Sequence, residues 1–204
     1  MKGILTVVSG FAGAGKGTIM NTLLEKYEGY ALSVSATSRQ PREGEKEGVH
    51  YFFKTREEFE EMIRNNELLE HAEYVGNYYG TPKAFVEKKL DEGMNVLLEI
   101  EIQGAMQIKK AFPDALLVFV MPPSAAILKE RLTKRGTESP EVIAKRMQRA
   151  VSESEGIENY DFIVINDEVD KCTETLHNII LSAVYQPVRQ KEFIETVRSD
   201  LRNL

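Results

Sequence analysis

The sequence predicts an α/β protein: a parallel sheet flanked by helices, interrupted by a smaller α+β insertion. Three observations predict it. Apolar runs of strand length recur at 4–8, 95–102, 115–121 and 160–167, with helical patterns between them, as in strands buried on both faces. The first run enters a glycine-rich turn, Gly10–Thr18, of the form G-x-x-x-x-G-K, and a helical pattern opens directly after it. Between about 35 and 82 the alternation is lost, because Pro41, Gly44 and Gly48 break any period.

The 204 residues are enough for one domain with excursions. A net charge of −6 argues against nucleic acid or an anionic membrane as partner, so a phosphate site must come from local clustering of Lys and Arg. The single cysteine, Cys172, reads as an inert helix residue. The three histidines show no metal-ligand spacing. The chain starts directly in its first strand, without signal-peptide design, and no apolar run approaches the roughly 20 residues that span a bilayer. A cytoplasmic protein is expected.

Taken in order, the first strand, loop and helix are followed by a strand at 30–35 and a long broken loop from Ala36 to Tyr51. His50–Phe53 reads as a short returning strand. Thr55-Arg56-Glu57-Glu58 has the T-x-x-E form of a capping box and opens a helix with Phe59, Met62 and Ile63 on its apolar side. Two short strands at 68–75 and 76–82 and a helix from Lys83 to Glu92 complete the insertion and return the chain to the core. The strand at 95–102 carries Glu99 and Glu101 near its end, and a helix at 105–111 precedes the strand at 115–121. Pro122-Pro123 stops that strand, and Ser124 caps a helix running to Arg135-Gly136. Ser139-Pro140-Glu141 starts the next helix, with proline in its first turn. After the strand at 160–167 the chain is helical from Lys171, with a break at Pro187.

Sites in open parallel sheets lie beyond the C-terminal strand ends. The loop at Gly10–Thr18, Ser35, Glu99 with Glu101, Ser124 and Asn166-Asp167 all fall there. In the loop, inward backbone N–H groups and the helix N-terminus suit a phosphate, Lys16 reaches its outer oxygens, and Thr18 is placed to hold a magnesium ion. Guanidinium groups fork onto phosphate oxygens. Arg39 and Arg42 in the broken loop suit an acceptor's phosphate. Arg131 with Arg135, four apart, and Arg146 with Arg149, three apart, each share a helix face. These two helices read as a lid that excludes water.

The segments Gly10–Thr18, Ser35–Glu45, Gly76–Thr81, Leu98–Gly104, Glu130–Thr137 and Tyr160–Phe162 closely resemble guanylate kinases. The chain looks like a bacterial single-domain member, with the P-loop nucleoside monophosphate kinase fold. The resemblance implies a core (1–34, 83–123, 156–204), a GMP-binding excursion (35–82) and a lid (124–155). It also implies transfer of the terminal phosphate of MgATP to GMP. Lys16, Arg42, Arg135 and Arg146 would be catalytic. Gly10, Gly13, Ala14, Gly15, Lys16, Gly17, Thr18, Arg131, Arg135 and Asn166 would bind ATP. Arg39, Arg42, Tyr51 and Tyr79 would hold the GMP phosphate, Ser35, Glu70, Thr81 and Glu101 the guanine, with Arg146 and Arg149 also facing GMP. Thr18 and Glu99 would hold Mg2+. A homodimer stays open.

Chemistry supports Glu70 in its role, since guanine presents adjacent N1–H and N2–H₂ donors to one carboxylate, whereas adenine N1 is an acceptor. The chain departs from the family's usual pattern at Phe11-Ala12, where Pro-Ser is common, and at Glu101, where Asp is usual. Gly17 follows the loop lysine, so Thr18 is the nearby hydroxyl. Two other readings stay open: a related P-loop kinase for another monophosphate, and a non-catalytic module of guanylate kinase type that binds peptides.

Overall fold

A computed structural model describes residues 2–74, 76–134 and 139–204. In chain order the elements are β1 (Leu5–Gly10), α1 (Lys16–Lys26), β2 (Tyr30–Leu32), β3 (Ala36–Thr37), β4 (Phe52–Phe53), α2 (Arg56–Arg64), β5 (Leu68–Tyr74), β6 (Asn77–Pro82) and α3 (Lys83–Asp91). There follow β7 (Asn95–Glu99), α4 (Ile102–Ala111), β8 (Leu116–Met121), α5 (Ala125–Lys134), α6 (Pro140–Ser154), β9 (Phe162–Ile165), α7 (Val169–Ser182) and α8 (Lys191–Arg202).

Five strands form a parallel sheet in the order β2-β7-β1-β8-β9. β1 and β8 lie in its middle, and Val7, Val8, Leu117, Val118 and Phe119 are fully enclosed, which is why these strands read as continuous apolar runs rather than alternating ones. The chain leaves β1 toward one edge and β8 toward the other, so a crevice opens beyond their C-terminal ends. Phe11 is buried and meets Phe119 edge-on at 5.1 Å. The aromatic departure in the glycine loop therefore anchors the loop in the core.

The insertion forms a second sheet, β4-β3-β6-β5, of mixed direction. Thr55 and Glu58 make both bonds of the capping box that opens α2. That helix drives Phe59 beneath the small sheet, fully buried and stacked on Tyr78 at 5.3 Å, a burial worth about 1.5–3 kcal/mol. The two sheets meet where α4 packs against β5. There the Gln107 side chain accepts from the His71 N–H at 3.4 Å and donates to the His71 carbonyl at 3.3 Å, covering an edge strand.

Several boundaries differ from the sequence reading. β2 ends at Leu32, not Ser35, because the chain leaves the large sheet and re-enters the small one as β3, a strand inside the expected loop. β7 ends at Glu99, and Glu101 turns outward as the residue before α4, so that helix starts at Ile102 rather than Ala105. β9 is shortened to Phe162–Ile165. Arg135, Gly136 and Thr137 lie outside the described residues.

Candidate functional site

β1 hands the chain to a loop whose shape depends on Gly15. This residue has φ +93°, and a Cβ there would stand 2.3 Å from Asn166 Nδ2, so only glycine fits. Asn166, buried at the end of β9, donates from Nδ2 to the Ala14 carbonyl at 2.7 Å and thus braces the loop from below. Arg131 of α5 donates to the Asn166 carbonyl at 2.8 Å and to that of Ala14 at 3.4 Å. Lys16 opens α1 and folds its ammonium back onto the carbonyls of Gly10 (2.7 Å) and Phe11 (3.3 Å). Both Asn166 and Arg131 thus meet the loop through the carbonyl of Ala14, whose N–H bonds the Phe11 carbonyl at 3.0 Å, and the start of α1 is left to face an anion.

A cleft of about 750 Å³ lies beyond the sheet. Gly10, Ala12 and Lys16 form one wall, and Ser33, Ser35, His50 and Tyr51 another. Glu99, Ile100 and Glu101 form its floor, and Val142, Lys145, Arg146 and Arg149 of α6 overhang it. The glycine loop, the wall from the insertion and the cations of α6 therefore share one space.

The acceptor wall is built from side chains. Thr37 donates to the Tyr78 carbonyl at 2.9 Å, and Ser38 accepts from the Tyr78 N–H at 2.8 Å. These hydroxyls set the turn that presents Arg39. The Arg39 guanidinium forks onto Glu45 and lies 5.4 Å from the Tyr51 ring centre. Tyr51 meets Tyr79 edge-on at 6.1 Å, and burial pushes its phenol above the ordinary value.

Glu70 sits deeper, buried on β5, with Thr81 Oγ1 donating to its Oε1 at 2.7 Å. Burial raises its carboxyl above the usual range, while Thr81 bonding opposes that rise. Gly104 of α4 explains how the carboxylate fits, because a Cβ there would stand 2.8 Å from Glu70 Oε2. Glu101 is engaged across the cleft by Arg149, which also bonds Glu153 at 2.9 Å. These two residues, both expected to face GMP, meet each other and tie α6 to the start of α4.

Sequence reasoning passed over Glu45, Gly104, His50 and Lys145. The signal for Glu45 was its place just after Gly44, three residues beyond Arg42 and six beyond Arg39; Gly104 looked like an ordinary helix residue.

A glycine loop closing on a lysine, facing an arginine-bearing wall under a cationic helix, defines a P-loop phosphotransferase acting on two phosphorylated substrates. The family model described as guanylate kinase matches residues 2–183. A guanylate kinase of Desulfitobacterium hafniense is 50% identical over 192 residues, covering 94% of this chain and 96% of that protein. One of Caldanaerobacter subterraneus subsp. tengcongensis is 47% identical over 199 residues, covering 98% and 97%. The crystal structure of guanylate kinase from Anaplasma phagocytophilum superposes with a TM-score of 0.75 at 33% identity, covering 96% of this chain and 95% of that one. The chain belongs to the guanylate kinase family.

Proposed function

We propose that the residues around this cleft carry out the family's reaction, transfer of the terminal phosphate of ATP to GMP, with the roles that follow. The observation that carries the assignment is that Lys16, Ser35, Tyr51, Arg146 and Arg149 line one cleft. The loop from Gly10 through Gly13, Ala14, Gly15 and Gly17 to Thr18 binds the ATP phosphates, with Arg131, Arg135 and Asn166 completing the donor site. Lys16 leaves the loop carbonyls for the phosphate oxygens when ATP is bound. Arg39, Arg42, Tyr51 and Tyr79 hold the GMP phosphate, and Ser35, Glu70 and Thr81 read guanine. Glu101 acts through its pairing with Arg149. Lys16, Arg42, Arg135 and Arg146 stabilise the charge that spreads over the moving phosphoryl group. The core (1–34, 83–123, 156–204) presents ATP, the excursion (35–82) GMP, and the lid (124–155) excludes water.

Mg2+ enters with ATP. Among the described residues no cluster of three or more His, Cys, Asp or Glu forms a cage, which fits an ion held mainly by phosphates and water with one or two protein groups. Thr18 is exposed at the start of α1, and Glu99 Oε2 lies 3.8 Å from where a Gly17 Cβ would be. A hydroxyl and a carboxylate so placed suit the ion. Held by Thr18 and Glu99, such an ion would supply positive charge to the ATP phosphates.

No helix among the described residues is long and apolar enough to cross a membrane. With the charge of −6, this supports a cytoplasmic protein whose partners are ATP and GMP, not nucleic acid or membrane. A homodimer belongs to the same reading. Its support is α8, where Phe193, Val197 and Leu201 follow one another four residues apart and are 66%, 40% and 64% exposed. A monomer mass in solution would remove it. The activity is tested by ADP release with MgATP and GMP, AMP, UMP, CMP or dTMP. GMP alone should support rapid turnover. Equal use of AMP would overturn the base assignment, and no turnover with any acceptor would favour a binding module.

A further inference from the structure

We infer that Glu45 is a positioning residue for the acceptor phosphate, acting through Arg39; the inference rests on the acceptor-wall reading above. Glu45 Oε1 accepts from Arg39 Nη2 at 2.9 Å and Oε2 from Nη1 at 3.0 Å, so the pair is bidentate. The same Oε2 accepts the Arg42 backbone N–H at 2.7 Å. A main-chain bond from the Glu45 N–H to the Arg42 carbonyl, at 3.1 Å, closes the turn. One carboxylate therefore fixes the guanidinium plane of Arg39 and the backbone of Arg42, the two arginines assigned to the GMP phosphate.

The geometry excludes an ordinary surface ion pair. The side chains of Arg39 and Glu45 are only 14% and 17% exposed, and Tyr51 and Phe53 lie beside the guanidinium at 5.4 and 6.0 Å. Exposed pairs hold neither partner in one pose, whereas a planar fork with a third bond on the same carboxylate does. The Arg39 fork and the Arg42 turn hold the carboxyl at about 2, so it is ionised wherever the enzyme works. Arg39 has five N–H donors. Glu45 takes two, the Gln40 carbonyl takes another at 2.7 Å, and Tyr79 bonds the same guanidinium, so it is oriented before phosphate arrives.

Glu45→Gln preserves size but offers one acceptor oxygen and an amide donor. That donor must meet an N–H of Arg39 or of Arg42. GMP affinity, measured by calorimetry, should fall tenfold or more, while guanosine, which lacks the phosphate, should bind as to the wild type. In turnover, the KM for GMP should rise similarly, with kcat and the KM for ATP within threefold. Glu45→Asp, which keeps the charge on a shorter arm, should fall between Gln and wild type. In an Arg39→Ala background, where only the bond to the Arg42 N–H is left to lose, Glu45→Gln should cost clearly less than it does beside Arg39.

Equal losses for GMP and guanosine, or a full further loss in the Arg39→Ala background, would overturn the inference and leave the acceptor wall standing. If Arg39→Ala itself left GMP affinity unchanged, the acceptor-wall reading would fall and the inference with it. Melting curves of each variant show that the loss is not one of folding.

Discussion

The two halves of the cleft, donor and acceptor in the proposal above, are built by different means. The donor half is made of backbone: a loop carried on the buried strand β1, shaped by glycine at position 15 and braced by Asn166 through the Ala14 carbonyl. The acceptor half is made of side chains on a small mixed sheet whose β3 and β4 are two residues long. Its geometry depends on Thr37, Ser38, Glu45 and Thr81 bonding to their neighbours. Backbone recognition is generic, since every P-loop offers the same N–H groups. Side-chain recognition is specific, because each contact can be chosen.

This contrast predicts a graded set of effects. The largest is at Lys16, the side chain assigned to the outer phosphates of ATP. Lys16→Met should lower kcat by about 10²–10³ while leaving GMP binding nearly intact, so a matching loss of GMP affinity would break the division between the halves. Next is Glu70→Gln, expected to raise the KM for GMP roughly tenfold to a hundredfold with little change for ATP. The same substitution should raise thermal stability at neutral pH. A carboxyl whose folded value is raised contributes stability below its unfolded value, near 4.3, and loses it as pH rises through the folded one. The stability gap should therefore narrow as pH falls through the raised folded value and be closed by about 4. A Gln variant less stable than wild type at pH 7 would contradict that sign.

Gly104→Ala should act more modestly. A methyl group 2.8 Å from Glu70 Oε2 must displace that carboxylate or α4, costing about 1–3 kcal/mol and raising the KM for GMP several-fold. An unchanged KM with lowered stability would make Gly104 purely a packing residue. The smallest effect is a pH dependence in the acceptor turn. The Glu45 carboxyl is held at about 2, so its contribution is complete above the unfolded value, near 4.3, and is lost as pH falls through 2. The difference in melting temperature between wild type and Glu45→Gln should be constant from pH 5 to 8 and shrink only in acid.

The same contrast explains what was legible in the sequence. The glycine loop, the buried strands and the Thr55–Glu58 capping box are local, and each carries its own signal in consecutive residues. β3 is not local: Ala36 and Thr37 become a strand only because Gly80 and Tyr79, more than forty residues on, lie beside them. Glu101 looked like strand because Ile100 and Ile102 flank it, yet it turns out to precede α4. Glu70 and Thr81 were found through resemblance to a family, and their direct bond lends the pairing a physical basis. Glu45 stayed hidden because a glutamate among lysines and glutamates reads as solvated charge until its partner is seen.

The seam between α4 and β5 has a mechanical consequence. Glu70 lies against Gly104, and the next residue, His71, is clasped by Gln107. A rocking of the small sheet about this seam would move atoms in proportion to their distance from it. The Glu70 carboxylate, beside Gly104, would travel little, while Arg39 and Arg42, in the β3–β4 connection on the far side of the sheet, would travel further. With the roles proposed above, base identity would be checked at a nearly stationary point before the acceptor phosphate is carried toward Lys16.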